Sequence, residues 1–326
     1  MVTSSLNRQA SASPPVFQTI NLTVLGSGAW GSALAQLAQN NQHSVRVWSR
    51  RGELSLEEAI AGADVILSAI SMKGVAELAE RLKELSIPSQ SIIATATKGL
   101  DPATTRTPSQ IYQAAFLEHP IAVLSGPNLS KEIAQGLPAA TVIASTDAAA
   151  AETLQQVFSS DCFRVYTSPD PLGAELGGTL KNVVAIAVGV CDGLGLGSNA
   201  KSALMTRALP EIIRVGLHMG AQIETFYGLS GLGDMLATCD STLSRNYRVG
   251  YGLSQGKALD QILAELGSTA EGVNTAYVLM DIANREGIPV PISRQVHRLL
   301  KGSITPREAL EGLMERDLKP ESCDLL

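Results

Sequence analysis

Asn21-Leu22-Thr23-Val24-Leu25-Gly26-Ser27-Gly28-Ala29-Trp30-Gly31 is the stretch whose reading decides the fold. Asn21 to Gly26 is a short apolar strand, and Trp30 to about Gln39 carries apolar residues at helical period. Between them Gly26, Gly28 and Gly31 fit the pattern GxGxxG. In such a strand–turn–helix unit the first glycine permits the tight turn. The second lets a pyrophosphate approach the backbone, and the third lets helix pack on strand. The helix start at Ala29 and Trp30 then offers free N–H groups and a positive dipole end to phosphates. Glycine turns also arise for purely structural reasons, but this flanking context points to a dinucleotide.

The next strand, His43 to Trp48, runs into Ser49-Arg50-Arg51. NAD-specific sites place Asp or Glu about 20 residues past the glycines to bond the ribose 2′-hydroxyl. Arg50 and Arg51 at that place favour a 2′-phosphate, which a carboxylate would repel. The reading is NADP(H), with NAD(H) also admitted; a solvated surface pair of arginines is the alternative.

Outward from this unit, strand candidates recur at Asp64–Ile70, Ser91–Ala96, Ile121–Leu124, Thr141–Ala144 and Phe163–Tyr166, with helical segments such as Val75–Leu85 between them. That alternation implies crossover units and a mostly parallel sheet covered on both faces. After about Ser168 strand signals stop, and Pro171–Val190, Ala200–Met219, Leu253–Leu266, Asn274–Arg285, Ile292–Leu300 and Arg307–Met314 read as helices. The fold class is α/β: a Rossmann-type parallel-sheet domain over 21–169, then an all-α domain over 170–326, with a ligand expected in the cleft between them.

The 326 residues suffice for two such domains without a disulfide or metal staple. With 45% hydrophobic and 17% charged residues the chain is neither disordered nor a coiled coil. A net charge of −6 gives no global case for nucleic acid or anionic membrane as partner, so anionic substrates must be held by a few local cations. Cys162, Cys191, Cys239 and Cys323 lack paired spacing and the histidines are scattered; no metal site is expected, and the thiols suit a reducing cytoplasm. Val16–Ala38 is apolar enough to raise a membrane-span question, but polar residues and glycines interrupt it. A strand, a turn and a helix explain it better. Residues 1–20 read as a disordered tail, although the acid-free, Ser-rich start resembles a transit peptide.

Further islands carry chemistry. Thr97-Lys98-Gly99 and Ser125-Gly126-Pro127-Asn128 each follow a strand, so Lys98, Gly126 and Asn128 sit at carboxyl ends where open α/β sheets bind ligands. An ordinary surface lysine is the alternative for Lys98. Lys181, in Glu175-Leu176-Gly177-Gly178-Thr179-Leu180-Lys181-Asn182, enters an apolar helix, which is expensive unless its charge is used or paired. An ion-paired structural lysine and a proton donor to a ketone are its two readings. Ser230-Gly231-Leu232-Gly233-Asp234 and Ser244-Arg245-Asn246 complete the set. Arg245 offers a fork for phosphate. Asp234 reads as an orienting carboxylate or a turn residue, and Asn246 as a substrate contact or a helix cap.

In order, GSGAWG, ATKGL, SGPN, ELGGTLKN, SGLGDMLATC, LSRNYRVG and TAEGV resemble the NAD(P)-dependent sn-glycerol-3-phosphate dehydrogenases of bacterial type, over nearly the whole chain from Asn21. The resemblance implies a Rossmann domain followed by a helical one, and interconversion of dihydroxyacetone phosphate and sn-glycerol 3-phosphate for glycerophospholipid synthesis. It implies Lys181 as catalytic lysine; Lys98, Gly126, Asn128, Asn182, Asp234, Ser244, Arg245 and Asn246 at the substrate; and Trp30, Arg50, Arg51, Lys98, Ser130, Arg245 and Glu271 at the cofactor. A phosphorylated triose as substrate and a homodimer follow from it as well. Three features depart from the family pattern. Only Gly52 to Gly62 separates Arg51 from Ala63-Asp64, Ile70-Ser71 stands where Val-Pro is common, and Asn128 replaces the more usual Ser. The rival readings are a β-hydroxyacid or ketopantoate-type reductase, whose pattern lacks SRN after GLGD, and a non-catalytic NADP(H)-binding sensor.

Overall fold

In the computed structural model the described residues are 19–267, 269–318 and 320–321. Residues 1–18 of the expected tail, and Cys323, lie outside them. Seven strands form one sheet: β1 (Asn21–Leu25), β2 (Ser44–Trp48), β3 (Val65–Ser68), β4 (Ile92–Thr95), β5 (Ile121–Ser125), β6 (Ala139–Ser145) and β7 (Phe163–Ser168), in the order β2-β1-β3-β4-β5-β6-β7. The strand order reverses direction at β1, so the crevice between the carboxyl ends of β1 and β3 is the switch point where such sheets bind ligands. All neighbours are parallel except β5 and β6. That link holds a single short helix, α5 (Ser130–Ala134), and brings the chain back along β5 instead of crossing over.

Alternate residues feed opposite faces of the sheet. Leu22, Val24, Val65, Leu67 and Leu124 pack with Leu34 and Ala38 of α1 (Ala29–Asn40) and Leu154 and Phe158 of α6 (Ala148–Phe158). Leu25, Ile66 and Ile93 pack oppositely on α2 (Leu56–Ile60), α3 (Val75–Lys83) and α4 (Pro108–Ala115). Each fully buried side chain of this size contributes roughly 1.5–3 kcal/mol. The short link after β2 is tied down twice. Ser55 and Glu58 form a capping box at the start of α2, and the Arg46 guanidinium donates to the carbonyls of Glu58, Ala59 and Ala61 at its end.

Beyond β7 the described residues hold helices, turns and loops. The axis of this half is α7 (Pro171–Gly193), a helix apolar on all sides and therefore central. It is the one described helix long and apolar enough to cross a bilayer, yet 94% of its apolar window is buried inside the fold. Asp170 caps its start, accepting from the Gly173 N–H at 2.9 Å, and also accepts from Gln222 N–H and the Thr225 hydroxyl. Around it pack α8 (Gly197–His218), α9 (Ile223–Tyr227), α10 (Asp234–Cys239), α11 (Arg245–Ser254), α12 (Leu259–Leu266), α13 (Glu271–Glu286), α14 (Pro291–Leu300) and α15 (Pro306–Met314). The continuous helix expected over Leu253–Leu266 is broken. Gly256 takes φ +77°, and α11 and α12 are separate elements.

At the turn after β1, Gly26 has φ +126°, a region that favours glycine. A Cβ on Gly31 would stand 2.0 Å from the Gly26 carbonyl oxygen. Ala in a helix is normally worth about 1 kcal/mol over Gly, but here the clash with backbone outweighs it. Gly31→Ala is expected to lower the thermal unfolding midpoint, at a cost of about 1–3 kcal/mol; an unchanged or higher midpoint in calorimetry would remove the close-packing role.

Candidate active site

Three chain segments far apart in sequence converge where the carboxyl end of β4 meets α7. Lys98 follows β4, Lys181 lies midway along α7, and Asp234 opens α10. The approach to Asp234 is a π-helical turn, Leu229–Gly233, of the sort found at functional sites. That turn packs against α7 so closely that a Cβ on Gly177 would lie 2.7 Å from the Ser230 carbonyl oxygen. The SGLGD motif thus aims a carboxylate inward that is only 2% exposed.

Asp234 is shared by two ammonium groups. Lys181 Nζ donates to Oδ1 at 2.9 Å and Lys98 Nζ donates to Oδ2 at 2.5 Å. Lys181 Nζ also donates to the Thr238 hydroxyl, which lies one turn along α10 and donates to Oδ1 at 3.3 Å. Lys98 reaches back to the Gly126 carbonyl at 3.3 Å. Burial pushes the Lys181 amine down to about 8. Asp234 opposes that shift and the neighbouring Lys98 charge adds to it.

The two halves are stitched around this cluster. Gly99 N–H donates to Thr179 Oγ1 at 2.9 Å, Asn274 donates to the Leu100 carbonyl, and buried Glu175 on α7 accepts from Ser109 N–H at 2.9 Å at the start of α4. A second polar set lies alongside: Asn246 donates to Asn182 Oδ1 at 2.9 Å and accepts from Gly272 N–H, next to Glu271. Asn246 is therefore an interior tie and not the helix cap. Ser244 caps α11 instead, accepting from Tyr247 N–H. Arg245 is exposed at the start of that helix, its charge acting on Glu271 across the gap.

The glycine turn lies at the switch point, separate from the lysine cluster but joined to it through Trp30. Its indole N–H donates to the Ala96 carbonyl, two residues before Lys98. A cleft of about 270 Å³ is lined by Gly26, Gly28, Trp48, Ser49, Arg50, Ile70, Glu77 and Arg81 among others. A Cβ on Gly28 would meet nothing within 4 Å, and no side chain caps α1. Glycine at 28 and open N–H groups at the helix start fit a pyrophosphate in this place. Arg50 and Arg51 are exposed at the cleft mouth with Ser27 and Ser49. Ser130 begins α5.

The sequence brought Lys98, Gly126, Lys181 and Asp234 forward as candidates, and they form one hydrogen-bonded cluster. Thr238, which completes the lysine's cradle, stands in the run after Asp234 but carries no role there by sequence alone, and nothing singles out Arg81, whose guanidinium stands 5.3 Å from the Trp48 ring centroid in the glycine-turn cleft. The i, i+4 spacing of Thr238 from Asp234 on one short helix was the available signal for the first.

Comparison with known proteins agrees across both halves. The family described as NAD-dependent glycerol-3-phosphate dehydrogenase N-terminus matches residues 21–55 and 51–151, and its C-terminus counterpart matches residues 170–311. The two N-terminal blocks meet inside the short link after Arg51. A glycerol-3-phosphate dehydrogenase [NAD(P)+] of Acaryochloris marina is 68% identical over 308 residues, 94% of this chain and 99% of that protein. One from Synechocystis sp. is 68% identical over 92% of this chain and 95% of its own. The crystal structure of the glycerol-3-phosphate dehydrogenase of Coxiella burnetii superposes with a TM-score of 0.87 at 33% identity, covering 91% of this chain and 99% of that one.

The buried amine has a consequence for stability. It releases its proton near 8 when folded and near 10.5 when unfolded, so between those values the folded state carries fewer protons. Stability therefore rises as pH climbs from about 8 to about 10.5. Lys181→Met is expected to flatten that rise in urea unfolding series across the window; an identical slope in the variant would contradict the burial argument.

Proposed function

Because the chain belongs to the NAD-dependent glycerol-3-phosphate dehydrogenase family, we propose that the Lys98–Asp234–Lys181 cluster is the place where it reversibly reduces dihydroxyacetone phosphate to sn-glycerol 3-phosphate. The observation that carries this reading is a lysine 5% exposed whose amine is brought to about 8 beside a carboxylate and a hydroxyl. A group with that poise can hold a proton, give it up and regain it near neutral pH.

The glycine-turn cleft would hold the reduced nicotinamide cofactor, whose chemistry when bound would be to supply a hydride to C2 of the ketone. Lys181 gives its proton to the carbonyl oxygen as negative charge develops there, and takes it back in the oxidative direction. Lys98 contributes a second positive charge to the same site. Asp234 and Thr238 fix the Lys181 amine in place, so little reorganisation is needed when the alkoxide forms. Arg245, with Asn246 beneath it, takes the substrate phosphate, and Asn182 orients Asn246. Gly26, Gly28, Ala29, Trp30, Gly31 and Ser130 hold the cofactor, and Arg50 and Arg51 take a 2′-phosphate, which makes NADPH the preferred form. Residues 21–169 hold the nucleotide and lend Lys98 to the substrate site, which takes Lys181, Asp234 and Arg245 from the helical half, 170–326. The free thiols of Cys162, Cys191 and Cys239 support a reducing cytoplasmic setting, with the product entering glycerophospholipid synthesis.

Steady-state oxidation of NADPH and NADH with dihydroxyacetone phosphate, run side by side, tests the whole reading; no oxidation of either would end it. Lys181→Ala should lower turnover by about 10²–10⁴ while leaving NADPH binding, followed by fluorescence titration, unchanged. Reduction needs the protonated amine, so its rate should fall above about pH 8, and oxidation should rise through the same range. Arg50→Ala and Arg51→Ala should raise KM for NADPH at least about ten-fold and leave that for NADH alone. Equal effects on both cofactors would mean the arginines do not read the 2′ position.

A further inference from the structure

The turn after β5 contains two buried polar atoms with no partner among the described residues: Ser125 Oγ and Asn128 Oδ1. An orphaned buried polar atom is uncommon and destabilising by about 1–3 kcal/mol. Two on one turn ask for a reason. The direction of the surrounding bonds is settled by chemistry. Thr141 Oγ1 donates to the Ser125 carbonyl at 3.0 Å, so it accepts from the Asn128 amide N–H at 2.9 Å. Asn128 therefore leaves its amide oxygen, which can only accept, and Ser125 leaves a hydroxyl that can give or take one bond.

Ser125 also faces the lysine cluster. A Cβ added to Gly178 on α7 would lie 2.7 Å from Ser125 Oγ, 3.3 Å from Lys98 Cε and 3.4 Å from Asp234 Oδ2. The unpartnered hydroxyl, the flexible Lys98 stem and the shared carboxylate thus stand together against Gly178, closer than a side chain there would allow.

We propose that Ser125, with Asn128, recognises the free C1 hydroxyl of dihydroxyacetone phosphate, and is a specificity-determining residue that the family assignment does not supply. The inference rests on the activity proposed above. The reacting carbonyl and the phosphate dianion are both acceptors, and neither satisfies an amide oxygen. The C1 hydroxyl is the one donor the substrate carries. It reaches Ser125 as Lys98 turns from Asp234 towards the incoming anion, so the two orphaned atoms gain partners only when the correct substrate is present. A site built this way rejects an analogue lacking the hydroxyl far more strongly than an apolar pocket would.

The test compares dihydroxyacetone phosphate with hydroxyacetone phosphate, in which a methyl group replaces the C1 carbinol. The wild-type protein should prefer the former in kcat/KM by at least about 100-fold. Ser125→Ala should shrink that preference at least about ten-fold, chiefly by losing activity on dihydroxyacetone phosphate. Its melting temperature should stay level or rise, since the substitution removes an unpartnered hydroxyl; a structural serine would lower it. The same preference in wild type and variant, with dihydroxyacetone phosphate still reduced, overturns the role of Ser125 and leaves the activity standing. A wild-type protein that reduces neither compound overturns the activity and this inference with it.

Discussion

One carboxylate holding two ammonium groups is the constraint around which the molecule is arranged. Asp234 and the Lys98 and Lys181 amines together carry a net positive charge in a place that water scarcely reaches. Burying such a set is unfavourable unless each member is paired and further bonded. Thr238 and the Gly126 carbonyl supply those bonds. The excess positive charge is also what an anionic ketone needs. The parts come from unlike sources: Lys98 from a strand end, Lys181 from the central helix, Asp234 from a π turn. Each half of the protein is therefore incomplete as a site without the other.

The sheet and the helical half meet this demand by different means. In the sheet, the five parallel strands β1 to β5 place their carboxyl ends along one edge, and the glycine turn and Lys98 both sit there. In the helical half, an apolar helix serves as a fixed axis; of its buried polar residues, Glu175 and Thr179 bond the sheet half, while Lys181 turns to α10 and Asn182 to α11.

Much of this was legible in the chain. The period-2 strands, the glycine turn and the cation inside an apolar helix are local signals, and they led to the fold and to Lys181. The pairing of Lys98 with Asp234 spans 136 residues, and no local pattern encodes it. For Ser125 the telling property is the want of a partner, which exists only in three dimensions. Asn246 was open between two roles because a short side chain before a helical run suits a cap. Ser244 took the cap, and Asn246 turned inward to Asn182 and Gly272. The break between α11 and α12 was masked by apolar residues that keep helical spacing across a glycine bend.

The link between β2 and β3 has an entropic meaning as well as a geometric one. A tether this brief, pinned by the Ser55–Glu58 box at one end of its helix and by Arg46 at the other, samples few shapes before any ligand arrives. Arg50 and Arg51 hang from it with little slack. Ordering that a longer, looser crossover would undergo during association has here been completed at the folding stage, so any ligand taken into the adjoining cleft would forfeit less affinity to disorder in this segment.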